Sequence, residues 1–247
     1  MGRDPARHPP AGPLIEPSVP GVRRLLGSLM FAVLAVGCSG GSASVSPETL
    51  VSQAKATLDS TPGLHFALTS SGAPKKTGTT LVGGDGVVAR PNGFQGHLQV
   101  EQSGLLAAVD VISLNGMVLI KPPFAAHYAV ADPHKYGFSD PGKLLDPNTG
   151  ISKLLTELTS VTPAGRDRFK GEKLTELAVS VPGTAVADVL TSADKPQPVT
   201  GKLGINPSSH ELRRAVLTGP FLAKGVMTTF TIVLDHYGTR PDIRVAG

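Results

Sequence analysis

The residue pattern of this 247-residue chain predicts an α+β fold, an antiparallel β-sheet with a few helices covering one side of it. Three observations carry this. After one stretch with helical spacing, the apolar period shifts from 3.6 to 2 and stays there for most of the chain. Turn signals separate the alternating runs, Asn115-Gly116 foremost, so that successive strands fold back on one another. Helical spacing returns only in short segments near 151–159 and 184–193, too few to alternate with strands as a parallel sheet requires.

Residues 1–22 are rich in proline (Pro5, Pro9, Pro10, Pro13, Pro17, Pro20) and have no apolar period, so they form no folded element. Translation beginning at Val19 or Val22, which leaves up to residues 1–21 untranslated, places Arg23-Arg24 at the amino terminus. Those arginines precede the apolar run Leu25 to Gly37 and then Cys38. Positive residues, a short apolar run and small residues form a secretory signal over residues 1–37. The run is shorter than the roughly 20 residues needed to span a bilayer. Ala35-Val36-Gly37-Cys38 resembles the lipobox of bacterial lipoproteins, with Ala35 where leucine is usual and Leu34 one step earlier. In that reading Cys38 is the lipidation site and anchors the chain to the outer face of the plasma membrane. The alternative is a signal peptide with a stray cysteine beside its cleavage site, a free thiol with no intramolecular partner.

Residues 38–46 are small and polar and read as a tether, leaving 47–247 as one domain. Ser46-Pro47-Glu48 supplies an N-cap, a proline for the first helical position and an acid for the first turn. Leu50, Val51, Ala54 and Leu58 then mark a helix to about Asp59. Strands follow at Leu64–Leu68, Leu81–Ala89 (weakened by Gly83, Gly84 and Gly86 and expected to bulge), Phe94–Glu101, Leu105–Val111 and Met117–Ile120. Residues 121–150 are rich in proline and turn residues and read as a long loop with one helical turn at 142–145, a length typical of functional lids. A helix at 151–159 precedes two strands around Lys170-Gly171, a helix at 184–193, and three strands at 199–205, 211–218 and 226–235.

Composition excludes several function classes. The leader carries Arg3, Arg7, Arg23 and Arg24 against Asp4 and Glu16, so half of the formal net charge of +4 leaves with it. With 4% aromatics and no Trp, the remainder is no nucleic-acid binder. There is no nucleophile elbow and no Walker loop, and Gly83-Gly84-Asp85-Gly86 lacks dinucleotide spacing, so no enzyme is expected. No cofactor or metal is expected either: His65, His97, His127, His134, His210 and His236 never fall at a ligand spacing such as H-x-x-x-H. His65 and His97 lie on the polar parity of their strands, a solvated face. Small residues on the apolar parity (Gly96, Ala107) either leave space inside a curved sheet or mark close helix approach in an ordinary core.

Several segments carry a family likeness. They are Gly63-Leu64-His65-Phe66, Asn115-Gly116-Met117-Val118-Leu119, Leu144-Leu145-Asp146-Pro147-Asn148-Thr149-Gly150-Ile151-Ser152-Lys153-Leu154-Leu155, Ala164-Gly165-Arg166-Asp167 with Lys170-Gly171, and Asp235-His236-Tyr237-Gly238. In order and spacing the chain resembles the LppX/LprA/LprF/LprG family of mycobacterial lipoproteins. It departs at 199–205, where the family usually has a Trp, and at Tyr237-Gly238, where it has Trp-Gly. The resemblance implies an antiparallel half-barrel with helices on its concave face, enclosing an apolar cavity for acyl chains. It implies cargo of the phosphatidylinositol mannoside, triacylglycerol or phthiocerol dimycocerosate classes, carried from the plasma membrane toward the cell surface beside an envelope exporter. Exposing one chain of roughly 16 carbons to water costs about 12 kcal/mol, which such a cavity removes. On strand parity, the expected lining is Phe94, Leu98, Val100, Val109, Val111, Phe230 and Ile232. The alternative is a scaffold lipoprotein with a packed core that supports an exporter.

Overall fold

In the computed structural model, residues 45–73, 79–191 and 193–245 are described. The leader, Cys38 and all but the last two residues of the tether lie outside them.

Helix α1 (Pro47–Ser60) starts where capping chemistry puts it: the Ser46 side chain accepts from Thr49 N at 3.1 Å, Pro47 takes the first turn and Glu48 faces the positive end of the helix. Its apolar stripe, Leu50, Val51, Ala54 and Leu58, is buried. Among the described residues no helix is long and apolar enough to cross a membrane.

The sheet has eleven antiparallel strands: β1 (Gly63–Ser71), β2 (Thr79–Ala89), β3 (Gly93–Gln102), β4 (Leu105–Leu114), β5 (Met117–Lys121), β6 (Ala129–Val130), β7 (Ser160–Phe169), β8 (Glu172–Val181), β9 (Val199–Ile205), β10 (Leu212–Ala223) and β11 (Val226–Asp235). Their order is β6-β5-β4-β3-β2-β1-β11-β10-β9-β8-β7. Two meanders are thus joined at β1 and β11, where His65 faces Asp235 and Leu68 faces Ile232. The sheet does not close. Register shifts at Leu81/Gly83 and Gly219/Ala223 add the local twist that bends it into a half-barrel.

One consequence of this order positions the site. β6 and β7 are consecutive in sequence yet lie on opposite edges, so residues 131–159 must cross the whole sheet, about 48 Å at ~4.8 Å per strand. They cross on the inner face: Phe138, Leu145 and Leu155 join the same buried cluster as the inward residues of the strands and α1.

Within this segment the structure corrects the expected elements. Instead of one helical turn there are two 3₁₀ turns, Pro133–Tyr136 and Pro141–Lys143, preceded by β6, which periodicity over two residues could not show. Helix α2 spans only Ile151–Leu154. Thr156 ends it by bonding back to Lys153 O through both its backbone N–H (2.8 Å) and its hydroxyl (2.7 Å), and Thr159 N already donates to Ser180 O on β8 (2.9 Å). Helix α3 (Gly183–Val189) stops early because Leu190 turns extended. β10 runs past Thr218 to Ala223, accommodating Gly219-Pro220 as an irregularity and burying Phe221 and Leu222.

Candidate functional site

Between the crossing segment and the sheet lies an apolar cavity of about 400 Å³. Its wall is the inward parity of the strands, from Leu98 on β3 through Phe66 and Leu68 on β1 to Leu203 on β9 and Val179 on β8. Its cover is the crossing segment and α3, through Phe138, Leu144, Ile151, Leu154, Leu155, Leu158, Val186 and Val189. The polar residues of the lining come from the crossing segment and α3: His134, Ser139, Asp140, Lys143, Thr149 and Asp188. At roughly 30 Å³ for each water- or methylene-sized unit, the cavity has space for about a dozen methylenes.

Of the residues expected on strand parity, Phe94, Leu98, Phe230 and Ile232 line the cavity. Val100, Val109 and Val111 have the same inward parity and are buried, but they do not line it. The Ser113 hydroxyl donates to Asp140, which caps the second 3₁₀ turn by accepting from Gly142 N at 2.9 Å, and this turn packs directly on β3 and β4. Gly142 is buried against Asn92 and Ser113, with no room for a side chain. The inner face is therefore closed by contact at the Asn92 and Ser113 end of β3 and β4.

The small inward residues follow the same logic. A Cβ on Gly86 or Gly96 would run into the Phe94 ring, with Cζ 3.0 and 2.9 Å away, so these glycines seat an aromatic side chain that is 0% exposed. At this position close packing, not open space, explains the small residues.

The outer face is polar and cross-linked. His65 Nδ1–H donates to Asp235 Oδ1 (2.7 Å) and Lys170 Nζ donates to Asp235 Oδ2 (2.9 Å). Burial pushes the Asp235 carboxyl up, but the bonds from Lys170 and His65 outweigh it and hold its pKa below the ordinary value. His97 and Lys121 share Asp110 in the same way, at 2.7 and 3.0 Å, and the Lys121 bond lowers that carboxyl's pKa. Beside Asp235, the buried Tyr237 hydroxyl donates to Leu212 O at 2.8 Å, and desolvation raises its pKa. His65, Asp235 and His236 hold ligand atoms within 4.8 Å of one another, a grouping that sequence spacing missed because 170 residues separate the first two. The carboxylate already accepts from both His65 and Lys170, so the arrangement acts as a latch across the β1–β11 junction.

A family profile described as LppX_LprAFG lipoprotein matches residues 46–233, from the N-cap of α1 to within two residues of the end of β11. The chain belongs to the LppX_LprAFG lipoprotein family. Among its relatives, the lipoarabinomannan carrier protein LprG of Mycobacterium tuberculosis is 24% identical over 225 residues, covering 86% of this chain and 89% of the relative, and LprG of Mycobacterium bovis matches equally. The crystal structure of LprF from M. bovis superposes with a TM-score of 0.63 at 18% identity, over 81% of this chain and 97% of LprF. LppX from M. tuberculosis gives 0.57 at 16% identity, over 80% and 97%. The LppX_LprAFG fold is therefore the fold of this chain, with the open eleven-stranded sheet and its few inner helices.

Proposed function

We propose that the protein is a lipid-anchored carrier of the cell envelope, which takes acyl chains of a multi-acylated lipid or lipoglycan into the inner cavity and moves them from the plasma membrane toward the cell surface. One observation carries the reading: a cavity walled by Phe66, Leu98, Phe230 and Ile232 and covered by Phe138 and Leu154, in a protein whose relatives include named lipoarabinomannan carriers. An apolar cavity of this size is rare in a close-packed interior, and a long chain gains about 0.8 kcal/mol for each methylene it withdraws from water. The polar lining residues His134, Ser139, Asp140, Lys143 and Asp188 offer donors and acceptors to a head group. No catalytic residue is needed.

Space for about a dozen methylenes is less than a multi-acylated cargo requires, so loading includes a lift of residues 131–159. Between its ends, where Ala131 bonds to Val118 O and Thr159 to Ser180 O, few polar contacts hold that segment: Asp140 to Ser113, Ser139 to Asp188 O and Val189 O, and Lys153 to Asp188. Cys38 provides the anchor, and an envelope exporter receives or supplies the cargo. The test is transfer of a fluorescent phosphatidylinositol mannoside from self-quenched donor vesicles to acceptor vesicles. The domain should accelerate dequenching in proportion to its concentration; a rate equal to that of vesicles alone rejects transport.

A further inference from the structure

Nine large apolar side chains are exposed among the described residues, and the two adjacent pairs sit on hairpin tips: Leu105 and Leu106 (75% and 71% exposed) after the β3–β4 turn, Val226 and Met227 (39% and 54%) after the β10–β11 turn. The register places both tips at one end of the sheet. Ser71 faces Thr229 on β11, while Leu81 faces Val100 on β3 and Val100 faces Ala107 on β4, so both turns project just beyond the end of β1. Four strand spacings separate them, about 19 Å at ~4.8 Å each.

In each pair the two residues have opposite parity, one toward the inner face and one toward the outer. A strand apolar on both faces is suited to apolar surroundings on both sides, and water surrounds these tips. Residues 102–108 carry no charge, and 223–229 carry only Lys224. At the bases of the tips, Leu81, Phe221 and Phe230 line the cavity. From Cys38 to Val45 the chain can reach about 25 Å at most, so an acylated Cys38 keeps this domain beside the membrane.

We infer that the β3–β4 and β10–β11 hairpin tips are a membrane-docking surface that enters a phospholipid bilayer and sets the Leu81–Phe221 end of the cavity against it. This rests on the carrier reading and adds a second, non-covalent contact to the anchor. The bilayer fits because the tips offer apolar area, one cation and no carboxylate, which favours an anionic interface.

The experiment uses the mature chain with Cys38→Ala, which removes the acyl anchor, and vesicles of phosphatidylcholine and phosphatidylglycerol in equal parts. The chain has no Trp, so Leu106→Trp makes a single reporter at one tip and Met117→Trp, 54% exposed at the opposite end, makes the matched control. On vesicle addition the Leu106→Trp emission should shift to the blue and the Met117→Trp emission should not. The double variant Leu105→Ser, Leu106→Ser should weaken vesicle partitioning about tenfold or more with unchanged affinity for cis-parinaric acid in solution. Equal shifts at both reporters, or partitioning unaffected by the serines, overturns the docking surface. A domain that binds cis-parinaric acid but ignores vesicles overturns docking and leaves the carrier reading standing; one that binds vesicles through the tips but no probe keeps docking and rejects the carrier.

Discussion

Leu98→Trp fills the cavity from its β3 wall. Leu98 is 3% exposed, lines the cavity, and faces Gly84 and Val109 on the neighbouring strands. An indole exceeds an isobutyl group by roughly 60 Å³, the room of about two methylene-sized units. At about 0.8 kcal/mol for each methylene no longer sheltered, binding of a long acyl chain weakens by about 1.6 kcal/mol, about fifteenfold. Overpacking itself costs about 1–3 kcal/mol of stability, inside the margin of an ordinary domain. Titration with cis-parinaric acid reads the affinity and urea denaturation reads the stability. Val109→Ala is the control: Val109 is 4% exposed and does not line the cavity, so it should lose about 2 kcal/mol of stability and no affinity. Equal affinity for wild type and Leu98→Trp, or equal losses in both variants, refutes the assignment of the cavity wall.

Three further outcomes are expected. Asp235 has a pKa lower in the folded chain than in the unfolded one, so its contribution is complete above the unfolded value near 4 and is lost as pH falls through that range; Asp235→Asn should lower stability at neutral pH and flatten the dependence of the urea midpoint between about pH 5 and pH 3. Gly96→Ala drives a methyl group into Asp85 O and the Phe94 ring and should cost about 1–3 kcal/mol, read from the thermal midpoint, whereas a neutral effect means the inner face has slack there. Cys38→Ala in cells should move the protein from the membrane fraction to the soluble fraction and remove a lipid-sized mass from the mature amino terminus; unchanged fractionation excludes acylation as the anchor.

The sheet was legible because its signals are local. Asn115 and Gly116 have φ of 53° and 83°, the backbone that a tight hairpin demands and that this dipeptide favours, and Ser46 caps α1 where its spacing to Glu48 and Leu50 implied. Parity alone placed Phe94, Leu98, Phe230 and Ile232 on the inner face, and they line the cavity. It could not separate them from Val100, Val109 and Val111, since all seven share one face. What distinguishes them is where the crossing segment and α3 lie over the sheet, which non-local packing decides. The crossing of residues 131–159 was equally hidden, because it follows from β6 and β7 ending on opposite edges. Leu154, Leu155 and Leu158 were readable as the apolar stripe of a helix, but their role as a cover depends on strand order. The Asp235 latch joins residues far apart in sequence, and only the β1–β11 register brings them together.

The central claim is that the cavity holds acyl chains, and native mass spectrometry of the non-acylated mature chain, purified from a lipid-rich actinobacterial host, tests it most directly. The account predicts a stoichiometric adduct of lipid mass that disappears on organic extraction, and that is depleted in Leu98→Trp. A bare polypeptide mass under several gentle conditions, with the fold intact, contradicts it and leaves a scaffold with a packed interior.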